Sequence, residues 1–330
     1  MSQPIRIELP FLSGEGSVNV YLLVEPEPVL IDAGYNSDEN WAVLQSGLAT
    51  HGLTAADLQR VIITHPHVDH YGLAARIART GRAEVWMAEV GVDWLRNFAA
   101  NQQRRIDYYR NTFLPVLGLS SPTVQAMLQW MESTLAAWDP IPAERIVAFP
   151  IERELSLGGL PWQVLHLTGH DSHLTAFYQP ETRQLLSADA LIIPTATPVV
   201  EAPAAGQPRQ PALPQMVSSL ERLAQLDVET VYPGHGAPFG DHRAVIRSQI
   251  ARIHQRKQEC WRFVAAGSAT VAEIFQRMYG ARASAVGPAG LWMVVGYLDL
   301  LAGERRLTVD EADGVWRYRA VAGADTSSGL

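Results

Sequence analysis

The stretch THPHVDHYG, residues 64–72, sets three histidines and an aspartate within the six positions from His65 to His70. Histidines at alternate positions, His65 and His67, followed by the adjacent pair Asp69 and His70, can aim donors at two centres from one turn. Further donors stand in similar settings, in turns beside glycine or at the end of an apolar run. They are His170 in TGH, Asp189 in SAD and His235 in YPGHG, so five of the ten histidines occupy such positions. Imidazole and carboxylate donors suit zinc, manganese or iron and leave a coordination position open for water. The single cysteine, Cys260, excludes both an internal disulfide framework and a cysteine-based metal cluster.

These donors need rigid elements behind them. IRIELPFL, VNVYLLV and PVLIDAG read as consecutive strands separated by turn residues, with Asp32 closing the third. Residues 38–58 read as helical, RVIIT as a buried strand leading into the histidine turn, GLAARIARTG as a helix ending at Gly81, and AEVWMAE as another strand. Residues 92–139 break the rhythm with two helices and no strand between them. In the second, Ser121 and Pro122 fit an N-cap and first turn, and Val124, Met127, Leu128, Met131 and Leu135 form one apolar stripe. Strands resume with RIVAFPI, WQVLHLTGH, LTAFYQP and QLLSADALI, as expected of a second, antiparallel sheet. The Pro- and Ala-rich residues 194–214 read as a functional loop, followed by a helix at 213–226, the short strand of ETVYPGHGAP and a long helix at 241–265.

The remaining residues look like a separate unit. Thr270 and Glu273 form a capping-box pair, Leu291, Val294, Val295, Leu298 and Leu301 line one helix face, and a hairpin turns at Asp313 and Gly314. Helices followed by a hairpin suggest a winged-helix-like module. The division expected is a catalytic domain over residues 1–240, with its helical insertion at about 92–139, and a linking helix plus winged module over 241–330.

The sequence resembles the metallo-β-lactamase superfamily through the signature His-x-His-x-Asp-His, here His65, His67, Asp69 and His70, and through LIDAG, TGH, SADA and YPGHG in order. The resemblance spans roughly residues 5–240. It implies an α/β protein, an αββα sandwich with the site at one edge of the two sheets. It also implies that His65, His67 and His170 bind one divalent ion and Asp69, His70 and His235 a second, with Asp189 bridging. Zinc is the first expectation, with manganese or iron as alternatives. A metal lowers the pKa of its bound water from 15.7 to about 7. The chemistry implied is therefore attack by metal-bound hydroxide, with Asp69 also orienting the nucleophile. Asp32 is expected to order backbone near the site without touching metal. Asp171 is read either as a hydrogen-bonding support for His170 or another ligand, or as a turn residue. His173 comes one position before the usual second histidine, where Leu174 stands, and is read as structural or as a support for the ligands.

Several branches of the superfamily fit poorly. Asp189 replaces the cysteine of common zinc β-lactamases, His67 replaces the glutamate of flavodiiron reductases, and no tyrosine closely follows Asp189 as in homoserine-lactone lactonases. The nearer branches are glyoxalase II-like thioesterases and lactamase-like endoribonucleases, which carry a C-terminal winged helix. The expected reaction is hydrolysis of an ester or thioester of a small acidic metabolite. Endoribonuclease or phosphodiesterase activity, a single-iron persulfide-dioxygenase-like activity and a non-catalytic nucleic-acid-binding or scaffold role are the alternatives. Arg104, Arg105, Tyr108 and Tyr109, on the insertion, are candidate substrate-binding residues, with one or more arginines meeting an anionic group.

A net charge of −8 argues against a surface built wholly for nucleic acid. The exception is the helix at 241–265, where Arg243, Arg247, Arg252, Arg256, Lys257 and Arg262 could track phosphates, though a solvated face is the preferred reading. The N-terminus lacks a basic stretch ahead of an apolar core, and no apolar run is expected to reach the roughly 20 residues that cross a bilayer. The expectation is a cytoplasmic protein without membrane insertion, with a homodimer left open.

Overall fold

The computed structural model describes residues 3–11, 16–204, 206–267 and 269–321. The first sheet holds six strands in sequential order: β1 (Ile5–Pro10), β2 (Ser17–Leu23), β3 (Val29–Ile31), β4 (Arg60–Ile63), β5 (Glu84–Ala88) and β6 (Ile146–Phe149). β1, β2 and β3 pair antiparallel, while β3 to β6 run parallel. The second sheet has the order β11-β10-β9-β8-β7, from β7 (Glu154–Leu157), β8 (Leu160–His166), β9 (Thr175–Gln179), β10 (Gln184–Ala188) and β11 (Thr230–Pro233). Its pairings are antiparallel except β10 with β11. RIVAFPI, expected to open the second sheet, instead supplies β6, the parallel edge of the first. A short apolar strand after a long helical excursion can return to either sheet, and its sequence does not distinguish them.

Side chains alternate across both sheets and divide the core into three layers. Tyr21, Val29, Ile31, Ile62, Trp162, Phe177, Leu186 and Tyr232 fill the space between the sheets. Val20, Leu22, Leu30, Val61 and Ile63 face the outer layer made by α1 (Asp38–Ala49), α3 (Ala74–Thr80) and α4 (Val92–Arg96); the short α2 (Val68–Tyr71) lies at the end of β4. Leu165, Ala176, Leu185 and Val231 face the third layer. That layer is built by α5 (Phe98–Tyr108), α6 (Ser121–Ser133), α7 (Ala212–Ala224), α8 (His242–Ala265), α9 (Val271–Tyr279) and α10 (Ala283–Gly303). The result is the four-layered α/β sandwich.

The insertion and the C-terminal elements share that third core. Ile106, Phe113 and Met131 pack in the same cluster as Leu291, Val295, Leu298 and Leu307. α6 is capped one residue earlier than expected, with Ser120 at the N-cap and Pro122 at the second helical position. The Thr270–Glu273 capping box forms as expected. The strands β12 (Leu307–Ala312) and β13 (Val315–Ala320) pair across the turn at Asp313 and Gly314, both at positive φ. Residues 285–303 of α10 are long and apolar enough to cross a membrane by length and composition, contrary to the expectation. Their stripe of Leu291, Val294, Val295, Leu298 and Leu301 is buried in the protein core.

α8 uses several of its cations internally. Lys257 is buried and pairs with Glu304, Arg256 pairs with Glu259, and Arg243 donates to the carbonyls of Ala224 and Leu226 at 2.9 and 2.6 Å.

Candidate metal centre

β3 and β4 are parallel neighbours, so their C-terminal ends lie side by side and the turns that follow face each other. Asp32 leaves β3 at φ +60° and reaches under the next turn. Its Oδ1 accepts from Thr64 N at 2.9 Å, and its Oδ2 accepts from Thr64 Oγ1 at 2.9 Å and His70 Nδ1 at 2.8 Å. Asp32 therefore fixes the turn at both ends without joining the ligand cluster. The second sheet is tied on from the other side: Asn19 Nδ2 and Tyr21 Oη both donate to Pro233 O at 2.8 Å, and Thr175 N donates to Thr64 O at 2.9 Å.

Seven donors from both sheets converge at this edge. His67 Nδ1 lies 3.0 Å from His65 Nε2 and 3.0 Å from His170 Nε2. Asp189 Oδ2 lies 3.3 Å from His170 Nε2 and 3.2 Å from His235 Nε2, while its Oδ1 lies 3.5 Å from His70 Nε2. Asp69 Oδ2 is 3.5 Å from His235 Nε2 and 3.7 Å from His70 Nε2. The donors form three overlapping groups able to hold a cation: His65, His67 and His170; His65, His70 and Asp189; and Asp69, His70 and His235.

The outward ring nitrogens set which way each lone pair points. His70 Nδ1 donates to Asp32, His170 Nδ1 to Thr197 O at 2.8 Å and His235 Nδ1 to Ser17 O at 2.8 Å. The Thr64 hydroxyl gives its proton to Asp32, so at 3.0 Å it accepts from His65 Nδ1. In its neutral form each of these four rings turns an unprotonated Nε2 inward. His67 differs: its Nδ1 faces inward and its Nε2 lies 3.6 Å from Asp171 Oδ2. At that distance the Asp171 carboxylate acts on the His67 ring by charge rather than by a hydrogen bond.

Burial, reinforced by neighbouring imidazoles, pushes His67 down to about 3 and His65 well below its ordinary value. At His70 and His235 burial also opposes protonation, but the carboxylates, Asp189 foremost, outweigh it and raise both. Burial opposes the charge on Asp189 too, and His70 and His235 hold it well below the usual carboxylate range. His70 Nε2 and Asp189 Oδ1 are buried without a hydrogen-bond partner. Buried polar atoms of this kind are costly unless matched. Uncharged imidazoles at His65 and His67, and protonatable ones at His70 and His235 beside two carboxylates, fit divalent cations, which would displace the protons held at His70 and His235.

Two glycines leave the required space. A Cβ on Gly234 would lie 2.1 Å from Asp189 Oδ1, and one on Gly169, at φ +126°, would lie 2.3 Å from Met216 N. Asp171 is buried and accepts from His173 N at 2.7 Å, with His173 Nδ1 3.0 Å away. Despite burial, that carboxylate raises the pKa of His173. His173 thus touches Asp171 rather than the centre.

A cavity of about 280 Å³ opens on His67, Asp69 and His170. The insertion supplies Phe98, Gln102, Arg105, Tyr109, Trp130, Met131 and Thr134 to its wall, and the 194–214 loop supplies Thr197 and Val199. Arg104 is exposed and lies off the cavity. Tyr108 also lies outside it, stacked on Phe113. Arg105 reaches the wall, but its Nη2 donates to both oxygens of Glu201 at 2.8 Å, and its guanidinium lies over the Trp94 ring at 4.5 Å. Its charge is therefore paired with Glu201, while its Nε has no hydrogen-bond partner. Tyr109 donates its hydroxyl proton to Val200 O at 2.8 Å. Sequence reasoning missed Tyr35, Phe98, Trp130, Ala289 and Trp292, all of which line the cavity. Trp130 carried a signal: it is a large aromatic outside the apolar stripe of its helix and stays 52% exposed.

The sequence model described as Metallo-beta-lactamase superfamily matches residues 13–235, and with them all seven converging donors. The chain belongs to the metallo-β-lactamase superfamily. This superfamily member is 29% identical over 316 residues to the probable metallo-hydrolase YqjP of Bacillus subtilis (strain 168), a match covering 92% of this chain and 93% of the relative. Its fold is similar to the metallo-beta-lactamase family protein TTHA1429 from Thermus thermophilus, with a TM-score of 0.75 at 22% identity over 96% of this chain and 98% of that one. A beta-lactamase domain protein from Burkholderia ambifaria gives a TM-score of 0.73 at 22% identity, covering 96% and 91%. The likeness in fold thus runs past residue 235, through elements that share the core with the sandwich. This superfamily member is a metal-dependent hydrolase.

Proposed function

We propose that the protein is a dinuclear hydrolase acting on an acyl ester or thioester. The observation that carries this reading is the pair of three-donor sets, His65, His67 and His170 against Asp69, His70 and His235, with the Asp189 carboxylate between them. Zinc is the first choice of ion, and manganese or iron suits the same donors. With its ions bound, the centre supplies Lewis-acid activation of water and of the substrate carbonyl.

The chain's own residues supply orientation and a dry wall. Asp69 borders the cavity and offers a carboxylate oxygen to hold the proton of an attacking water. Tyr35 borders it too, and burial together with the charges of Asp69 and Asp189 raises its pKa, so its phenol stays protonated as a donor near neutral pH. Phe98, Met131 and Trp292 exclude solvent from the same cavity. On the same wall the Arg105 charge is paired with Glu201 through Nη2.

The test is metal analysis followed by one panel of esters, thioesters, phosphodiesters and single-stranded RNA on the same preparation. Two ions per chain are expected, with ester or thioester turnover that chelation abolishes and added zinc restores. Turnover that survives complete metal removal, or preferential phosphodiester cleavage, overturns the reading.

A further inference from the structure

The catalytic cavity shares part of its wall with a second. The second, larger cavity of about 960 Å³ lies between α6 and the helices α9 and α10, and the two share Trp130, Ala289 and Trp292. Among the described residues that line it there is no Asp, Glu, Lys, Arg or His, although charged residues make up 18% of the chain. Its walls are set by Met127 and Ala126 on one side and Phe275, Val286 and Leu291 on the other. At the junction the Trp130 and Trp292 rings lie 6.4 Å apart, tilted by 53°. Trp292 is buried, whereas Trp130 is 52% exposed, an exposure of indole surface that the packing of the sandwich does not require. The backbone helps to make the groove: Gly287 at φ +50° and Pro288 break the first turns of α10 from its buried remainder, and both residues line the wall.

The inner cavity, at about 280 Å³, is near the lower end of the roughly 300–1,000 Å³ range of small-molecule sites. Among the described residues of its wall the one cation, Arg105, is paired with Glu201, and the Tyr109 hydroxyl is bound to Val200. Charged groups are thus concentrated at the metal end, and the described residues lining the groove beyond the tryptophan pair are uncharged. We propose that the groove receives the apolar tail of the substrate, so that the enzyme is selective for esters or thioesters of acyl chains too long for the inner cavity. This rests on the hydrolase reading above. The occupant is the substrate itself because the groove adjoins the catalytic cavity at Trp130, Ala289 and Trp292, which line both, so that one linear molecule held at the metal end would reach it past the tryptophan pair. Trp130 and Trp292 then determine specificity, and the C-terminal helices form one wall of the acyl site.

The test is a series of acyl thioesters from two to twelve carbons on the metal-loaded enzyme, with titration of the metal-free chain by acetate, hexanoate and decanoate followed through tryptophan fluorescence. A buried methylene gives about fourfold in affinity. Three or four methylenes buried beyond Trp130 should therefore raise kcat/KM for the ten-carbon over the two-carbon substrate roughly 100-fold. Ala126→Trp, which fills the outer groove, should reduce that ratio at least tenfold and weaken decanoate binding. Ala126→Leu should do so in part while keeping the fold, checked by circular dichroism. If thioesters are hydrolysed with no dependence on chain length, and decanoate binds no better than acetate, the acyl-groove proposal fails while the hydrolase reading stands. If no thioester or ester is turned over at any length, the hydrolase reading fails, and decanoate binding alone then decides whether the groove takes an alkyl chain. A flat chain-length profile with a shift in oligomeric state on Trp130→Ser marks the groove as a contact between copies of the chain and also overturns the proposal.

Discussion

Replacing Asp32 by asparagine isolates what a residue without a ligand position does for the centre. The Asp32 carboxylate accepts three hydrogen bonds, two from Thr64 and one from His70 Nδ1, and the residue is 2% exposed. An amide of the same shape must set its NH2 either against Thr64 N–H or against the side facing His70 and the Thr64 hydroxyl. The backbone N–H cannot reorient, whereas the hydroxyl can rotate and the imidazole can move its proton. The amide nitrogen should therefore face His70 and drive its proton from Nδ1 to Nε2. That nitrogen is 3.5 Å from Asp189 Oδ1 and is the one His70 presents to the centre, so its lone pair is lost to metal. Loss of such a supporting bond costs about 10–100-fold in metal affinity, and a mismatched buried bond costs on the order of 1–3 kcal/mol of stability. We expect weaker metal binding at the Asp69, His70 and His235 set, with the His65, His67 and His170 set retained. Competition with a chromophoric chelator measures both affinities, and nitrogen-15 NMR of the metal-free protein reads the His70 tautomer. An asparagine variant that binds both ions with wild-type affinity and keeps His70 protonated at Nδ1 would refute the reasoning.

Three further outcomes follow from named contacts. Gly234→Ala places a methyl group where Asp189 Oδ1 stands, at 2.1 Å; metal content and turnover should both fall at least roughly tenfold, the scale of lost ligand support, with the far-ultraviolet circular dichroism unchanged. Arg105→Met leaves the buried Asp171 and the partly buried Glu201 without their cation. Removing one partner of a buried pair costs about 3–5 kcal/mol, so urea unfolding should show a loss of that size, whereas an arginine serving only as an anion receptor would change KM and leave the midpoint alone. Glu273 accepts from Ala269 N at 2.7 Å and Thr270 N at 3.1 Å, which lowers its carboxyl pKa in the folded protein. Its stabilisation is present above the unfolded value of about 4.3 and is lost as pH falls through the lower folded value. Comparing Glu273→Gln with wild type in urea should show a difference under about 1 kcal/mol at pH 7 for this exposed cap, shrinking as pH falls through the lowered folded value, and a difference that grows in acid would contradict it.

Much of the fold was legible because its strands obey short-range rules. RVII and SVNVYLL are too apolar for any place but the middle of a covered sheet, and both are central. The capping residues Thr270 and Glu273 act across a single turn and could be read directly. The strand Ile146–Phe149 was assigned to the wrong sheet because pairing partners far away in the chain leave no mark on four apolar residues. The insertion misled in another way. Arg104 and Arg105 are adjacent, but a helix turns neighbouring side chains about 100° apart; one is exposed, and the other is consumed by Glu201, 96 residues away.

The donor set and the turns that carry it could be read without coordinates, since ligand identity and local spacing are written in residues that are close along the chain. Folding settled what surrounds that set. It brought Asp171 to 3.6 Å from His67 and paired Arg105 with Glu201. It also brought Trp292 of α10 against Trp130 of α6, so that the C-terminal helices wall the cavity. Each of these depends on packing between segments tens to more than a hundred residues apart, where the energy comes from burial summed over many contacts rather than from any local pattern of residues.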